Sequence, residues 1–147
     1  MLKGIDARVT PDLMDALMRM GHGDEIVIAD ANFPAHATAA HCHVSEPIHL
    51  PAMDAVEAAE LICTLLPLEA FFDYCALRMQ IDGAPDEMGE VHTQVFAVLE
   101  REKPEDAVLS SLERQDFYAQ AKQAFAVVAT NEARPFGCFI LRKGVIF

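Results

Sequence analysis

Apolar positions change their period along the chain, and the changes mark out alternating helices and strands. Thr10-Pro11-Asp12 offers a helix N-cap, a proline at the first helical position and an acid in the first turn, and Leu13, Met14, Leu17 and Met18 follow at helical spacing. Gly21 is placed to end that helix. Ile26 to Ala29 is apolar without interruption, the pattern of a strand covered on both faces, and Asn32-Phe33-Pro34 closes it. Pro34 to Pro51 reads as an irregular stretch with one short strand near Val44 to Leu50. Asp54 and Glu57 have capping-box spacing, and Val56, Leu61, Ile62, Leu65 and Leu66 predict a buried helix that Pro67 ends.

Further along, Tyr74 to Ile81 alternates, with Cys75, Leu77, Met79 and Ile81 on one face and Tyr74, Ala76, Arg78 and Gln80 on the other, which predicts a half-covered strand. A third helix is expected over about Gly89 to Arg101, with Val91, Val95, Phe96 and Leu99 inward and His92 on its surface. Val108 to Leu112 predicts a strand, and Asp116 is placed to cap a fourth helix running to about Ala124. Phe125 to Thr130 and Cys138 to Lys143 predict the last two strands, the first continuous enough to be central. Strands alternating with helices imply an α/β fold with a largely parallel or mixed sheet flanked by helices. With 147 residues and no internal repeat, one domain over residues 1–147 is expected.

Composition narrows the partners. The formal net charge of -12 disfavours nucleic acid, anionic lipid and highly phosphorylated ligands, and a neutral or cationic ligand fits better. No apolar run approaches a membrane span, and the segment around Lys3 and Asp6 has no signal-peptide core. Cys42, Cys63, Cys75 and Cys138 form no C-x-x-C pair, so reduced thiols and a cytoplasmic location are expected.

The chemistry concentrates around the first strand. His22, between Gly21 and Gly23, precedes it, and Asp30 ends it, where open α/β sheets place their ligands. An unperturbed imidazole titrates at about 6.5, so both protonation states are accessible near neutral pH. Position alone serves a cap on the carbonyl end of the first helix equally well, and Asp30 could simply form a turn with Asn32 and Pro34. His36, His41, Cys42, His43 and His49 share one loop, yet their spacing matches no familiar metal site, and a surface or interface loop is the better reading.

Met20-Gly21-His22-Gly23-Asp24-Glu25-Ile26, Asp30-Ala31-Asn32-Phe33-Pro34-Ala35, Phe117-Tyr118 with Ala121-Lys122 and Ala124 to Thr130, and Leu141-Arg142-Lys143-Gly144-Val145 together resemble the RbsD/FucU family of L-fucose mutarotases and D-ribose pyranases. The fucose branch is the closer. The resemblance implies a cytoplasmic enzyme that interconverts forms of a free monosaccharide without a cofactor or metal. It also implies rings of subunits, commonly a decamer, with sites near subunit contacts. It assigns His22 and Tyr118 as the acid/base pair, Asp30 and Arg114 as sugar binders, and Glu69 as a weaker substrate contact. Taken alone, Tyr118 would be an amphipathic residue of a first helical turn and Arg114 an exposed charge. Where relatives commonly carry Tyr-Gly-Asn, this chain has Phe136-Gly137-Cys138. Phe136 can still stack on a sugar and the Gly137 backbone can still approach one, but a phenol and an amide are lost, which implies an altered sugar preference. The competing expectation is a sugar-binding or transport-accessory protein that kept the pocket without the catalysis.

Overall fold

The computed structural model describes residues 1–147. In chain order the elements are α1 (Pro11–Arg19), β1 (Glu25–Ala29), α2 (Ala35–Ala39), β2 (Ile48–Leu50), α3 (Ala55–Cys63), β3 (Ala76–Met79), α4 (Glu90–Glu102), β4 (Leu109–Leu112), α5 (Arg114–Ala121), β5 (Ala126–Thr130) and β6 (Phe139–Arg142). The six strands form one sheet in the order β2-β5-β1-β6-β3-β4. β2, β5 and β1 run parallel, as do β3 and β4, while β6 is antiparallel to both neighbours. The sheet is thus mixed, and the one reversed strand joins two parallel halves.

Side-chain alternation along each strand feeds two cores. Ile26 and Ile28 of β1, Ala126 and Val128 of β5, and Phe139 and Leu141 of β6 face α1, α3 and α4. Val27, Val127 and Ile140 face the other way, towards Phe117 and Ala121 of α5 and Ala39 of α2. Covering both faces explains why β1 is apolar at every inner position, and each such fully buried Ile or Val contributes roughly 1.5–3 kcal/mol. The helix starts follow local chemistry: the Thr10 hydroxyl accepts from the Leu13 amide, and Asp54 with Glu57 forms a reciprocal capping box.

Five expectations are corrected. β3 is buried on both faces, because α4 covers the side carrying Arg78; the guanidinium donates from Nη2 to the Pro85 carbonyl at 2.9 Å, while Nη1 is buried without a partner. His92 is fully buried instead of lying on the helix surface, packed edge-on to Phe139 with its ring nitrogens engaged. α5 starts earlier than Asp116, because the Glu113 carboxylate accepts from the Gln115 and Asp116 amides. The stretch after Pro34 holds a short helix, α2, before β2. α1 ends at Arg19 with an extended Met20, so Gly21 follows the stop without forming it.

Candidate functional site

β1 divides the chemistry between its two ends. At about 3.3 Å per residue its five residues span roughly 15 Å, with His22 before the strand and Asp30 after it. At the far end, the Asp30 amide lies 3.4 Å from the Cys138 sulfur, and Asp30 Oδ1 accepts from the Asn32 amide at 3.0 Å. That turn leaves the carboxylate at the edge of a cleft of about 180 Å³, shared with Arg114, Tyr118, Phe136 and Cys138. Arg114 and Tyr118 stand four residues apart, on one face of α5, with the guanidinium 5.9 Å from the phenol ring centre. Asp82 fixes Arg114 by accepting from Nε at 3.0 Å with both carboxylate oxygens. Burial, followed by the charge of Asp30, pushes the Cys138 thiol well above its usual range and keeps it neutral.

The rim of this cleft is a strained turn. Phe136 is the only non-glycine residue with positive φ, 57°, a conformation that costs roughly 1–2 kcal/mol for an L-residue. Gly137 beside it does not line the cleft. A Cβ there would stand 2.7 Å from Glu132 Cγ, so the glycine makes room for a buried acid and does not serve close approach to a sugar. Glu132 accepts from the Ala55 amide at 3.2 Å and from the Arg134 amide, Nε and Nη2 at 2.8–2.9 Å. Burial opposes its ionisation, but Arg134 and the amides outweigh it and bring the carboxyl down to about 2.

At the near end, His22 Nε2 is paired with Glu69, whose side chain is wholly buried. Glu69 Oε1 accepts from the Ala70 and Phe71 amides, and Oε2 has no partner besides the imidazole. Burial opposes ionisation here too, but the Phe71 and Ala70 amides and His22 outweigh it and hold the carboxyl below its usual range. The imidazole, 40% exposed, stacks on Phe72 at 5.3 Å and meets Phe71 edge-on. Gly23 is required at its position: its φ is +88°, and a Cβ would meet the Phe72 ring at 3.2 Å. Phe71 and Phe72 remain 65% and 51% exposed, so an apolar surface surrounds the histidine.

Asp30, Arg114, Tyr118, Phe136 and Cys138 therefore line one cleft, while His22 and Glu69 form a separate pair. Within one chain, His22 and Tyr118 are not brought together as an acid/base pair. Glu69 faces His22 and not the cleft. Sequence reasoning passed over Glu132 and Arg134, and its reading of His92 as a surface residue hid the contact to the Phe136 carbonyl; a buried acid following a central strand was the available signal. The histidine loop does not converge either. The His36 and His49 rings lie tilted at 5.4 Å, His43 packs on Phe125, and Cys42 turns to backbone carbonyls, so no three such groups share a metal-sized space. A larger groove of about 490 Å³, lined by Met1, Leu2, Ile5, Met14 and Met18, brings no histidine, arginine or tyrosine together.

A sequence model of the RbsD / FucU transport protein family matches residues 3–146. The chain belongs to that family. Among similar proteins, the fucose mutarotase of Homo sapiens is 42% identical over 148 residues, spanning 99% of this chain and 94% of that protein. The same fold recurs in FucU from Bifidobacterium longum, with a TM-score of 0.89 and 32% identity over 99% of this chain and 100% of that one. It recurs again in the fucose mutarotase from Streptococcus pneumoniae solved in complex with L-fucose, with a TM-score of 0.87 and 34% identity over 99% and 100% of the two chains. Its RbsD/FucU membership accounts for the mixed α/β sheet, and no helix of the chain is long and apolar enough to cross a membrane.

Proposed function

We propose that this chain, as a single domain over residues 1–147, is a monosaccharide mutarotase, an isomerase acting on free L-fucose or a closely similar sugar. The observation that carries this is an accessible imidazole held by a wholly buried carboxylate, in a chain alike over nearly its full length to fucose mutarotases. Ring opening removes the proton from the anomeric hydroxyl and delivers one to the ring oxygen as the bond between C1 and that oxygen breaks. Rotation about the C1–C2 bond and the reverse transfers then close the other anomer. The reaction breaks and re-forms one C–O bond without net oxidation or reduction, so it calls for two proton carriers and no electron carrier.

With Nε2–H donated to Glu69, His22 Nδ1 is the nitrogen left to exchange a proton with the sugar. Asp30 accepts from sugar hydroxyls, Arg114 donates to them, and Tyr118 serves as the second proton carrier or as a hydroxyl ligand. Phe136 covers an apolar face of the ring, with the neutral Cys138 thiol beside it. Since His22 and this cleft lie at opposite ends of β1, the working site pairs His22 of one copy with the Asp30 cleft of another. The exposed Phe71 and Phe72 supply the surface that docks. The assembly is a ring-based homo-oligomer, a decamer, acting in the cytoplasm, and sedimentation measures its size.

The deciding experiment is exchange NMR of anomeric protons across fucose, galactose, ribose and related free sugars. Faster exchange for L-fucose that disappears in a folded His22→Ala variant is the expected result. Saturable sugar binding with no acceleration would instead establish the transport-accessory reading, and no effect on any sugar would remove both.

A further inference from the structure

We propose that His92 is a positioning residue for the cleft, fixing through the Phe136 carbonyl the left-handed turn that carries the Phe136 ring. The inference rests on the sugar-binding reading of that cleft. His92 sits in the first turn of α4, wholly buried, behind the sheet and away from solvent. Its Nδ1 accepts from the Gly89 amide at 3.1 Å, and its Nε2 lies 2.9 Å from the Phe136 carbonyl oxygen. An amide donor on one side and a carbonyl on the other select the neutral ring with its proton on Nε2. Both nitrogens are then used, one to cap α4 and one to hold a residue 44 positions away.

The turn is anchored on either side of Phe136, but its peptide orientation is not. Upstream, Arg134 is held by Glu132, and the following Gly137 packs back so closely against both that a Cβ would stand 2.7 Å from Glu132 Cγ and 3.1 Å from the Arg134 carbonyl. Downstream, the Cys138 carbonyl accepts from the Met79 amide at 3.0 Å, which joins the chain to β3. Between these anchors Phe136 adopts the one left-handed conformation of any non-glycine residue, with its carbonyl aimed at His92 and its ring in the cleft beside Asp30 and Tyr118. Without the imidazole donor that carbonyl would lose the partner it faces, and the turn would relax to negative φ at Phe136 and swing the ring.

Two substitutions separate the contacts, because Asn Oδ1 mimics His Nδ1 and Gln Nε2 mimics His Nε2. His92→Asn keeps the cap on Gly89 and gives up the reach to Phe136, whereas His92→Gln keeps a donor for Phe136. Expected is about a 10-fold weaker affinity for L-fucose in His92→Asn, with the maximal exchange rate within about twofold of wild type, the loss corresponding to one buried hydrogen bond. His92→Gln should stay within about threefold in affinity, and a crystal structure of His92→Asn should show Phe136 at negative φ. Unchanged affinity in His92→Asn, a Phe136 carbonyl still in place there, or equal losses in both variants at equal thermal stability would overturn the proposal. If the wild-type protein binds no sugar, the cleft reading fails, and the Phe136 conformation in His92→Asn still decides the role of His92.

Discussion

The two ends of β1 each rest on a buried glutamate that gathers loop amides, and the difference between the two carboxylates separates chemistry from architecture. Glu132 gives both oxygens to donors that never titrate at ordinary pH, the Arg134 guanidinium and backbone amides, so the end carrying Asp30 is fixed in shape. Glu69 gives one oxygen to the Ala70 and Phe71 amides and turns the other to His22 alone. A carboxylate facing a group that can gain or lose a proton can alter that group's charge and tautomer, and one saturated by arginine cannot. On the function proposed above, the near end is the proton-handling end and the far end the recognition end.

The sharpest way to break this division is His22→Ala. Removing a general acid/base should slow anomer exchange by about 100- to 10,000-fold, while L-fucose affinity falls far less. Asp30→Ala should do the reverse, weakening affinity first. If the site joins two copies, co-assembling the two variants in equal amounts should restore about a quarter of wild-type exchange at L-fucose concentrations too low for Asp30→Ala to bind, since random mixing in a closed oligomer pairs intact His22 with intact Asp30 at that frequency. No recovery from a verified mixed assembly would place both residues in one copy's site.

Acid stability tests the far end. Glu132 is held at about 2 when folded, against about 4.3 for an unfolded glutamate. Its contribution is present in full above the unfolded value and is lost as pH falls towards about 2, up to about 3 kcal/mol in total. Urea unfolding between pH 6 and pH 2 should show this slope, and Glu132→Gln should flatten it. Glu69, also held low, adds in the same direction. The two glutamates differ in rate: Glu69→Gln can still cap Ala70 and Phe71, but its amide turns a donor towards His22 Nε2 and favours the wrong tautomer. Exchange should slow by about 10- to 100-fold, the worth of a charge-assisted hydrogen bond, with the fold retained.

Much of this division could be read from sequence, and the limits have physical causes. The unbroken run Ile26 to Ala29 declared a doubly covered strand, which already separates His22 from Asp30 by the strand's length. Thr10 and Asp54 declared their helices because capping is local. The polar face of β3 misled because only the tertiary fold shows that α4 covers Arg78. His92 misled for the same reason: its partner lies in a distant turn, and a histidine that packs as an aromatic looks like any polar residue on a helix. The start of α5 was hidden because Glu113, Arg114, Gln115 and Asp116 are all polar, so periodicity could not choose between Glu113 and Asp116 as the cap. The meeting of Asp30 with Arg114, Tyr118 and Phe136 spans more than eighty residues, and only the family resemblance anticipated it.

The smallest expected effect sharpens the recognition end. Phe136 stands where the family resemblance leads one to expect tyrosine, and it lines the cleft with Asp30 and Arg114. Because His92 and Gly137 set the turn through the backbone, Phe136→Tyr adds a hydroxyl to an unchanged ring position. One neutral hydrogen bond to a sugar hydroxyl contributes about 0.5–1.5 kcal/mol, so L-fucose should bind about 2- to 10-fold more tightly. The gain should appear in affinity measured by titration, with the maximal exchange rate unchanged, because the added group lies at the end that binds and not at the end that moves protons. A change in maximal rate with no change in affinity would show that residue 136 takes part in proton transfer, and the separation of the two ends would not hold.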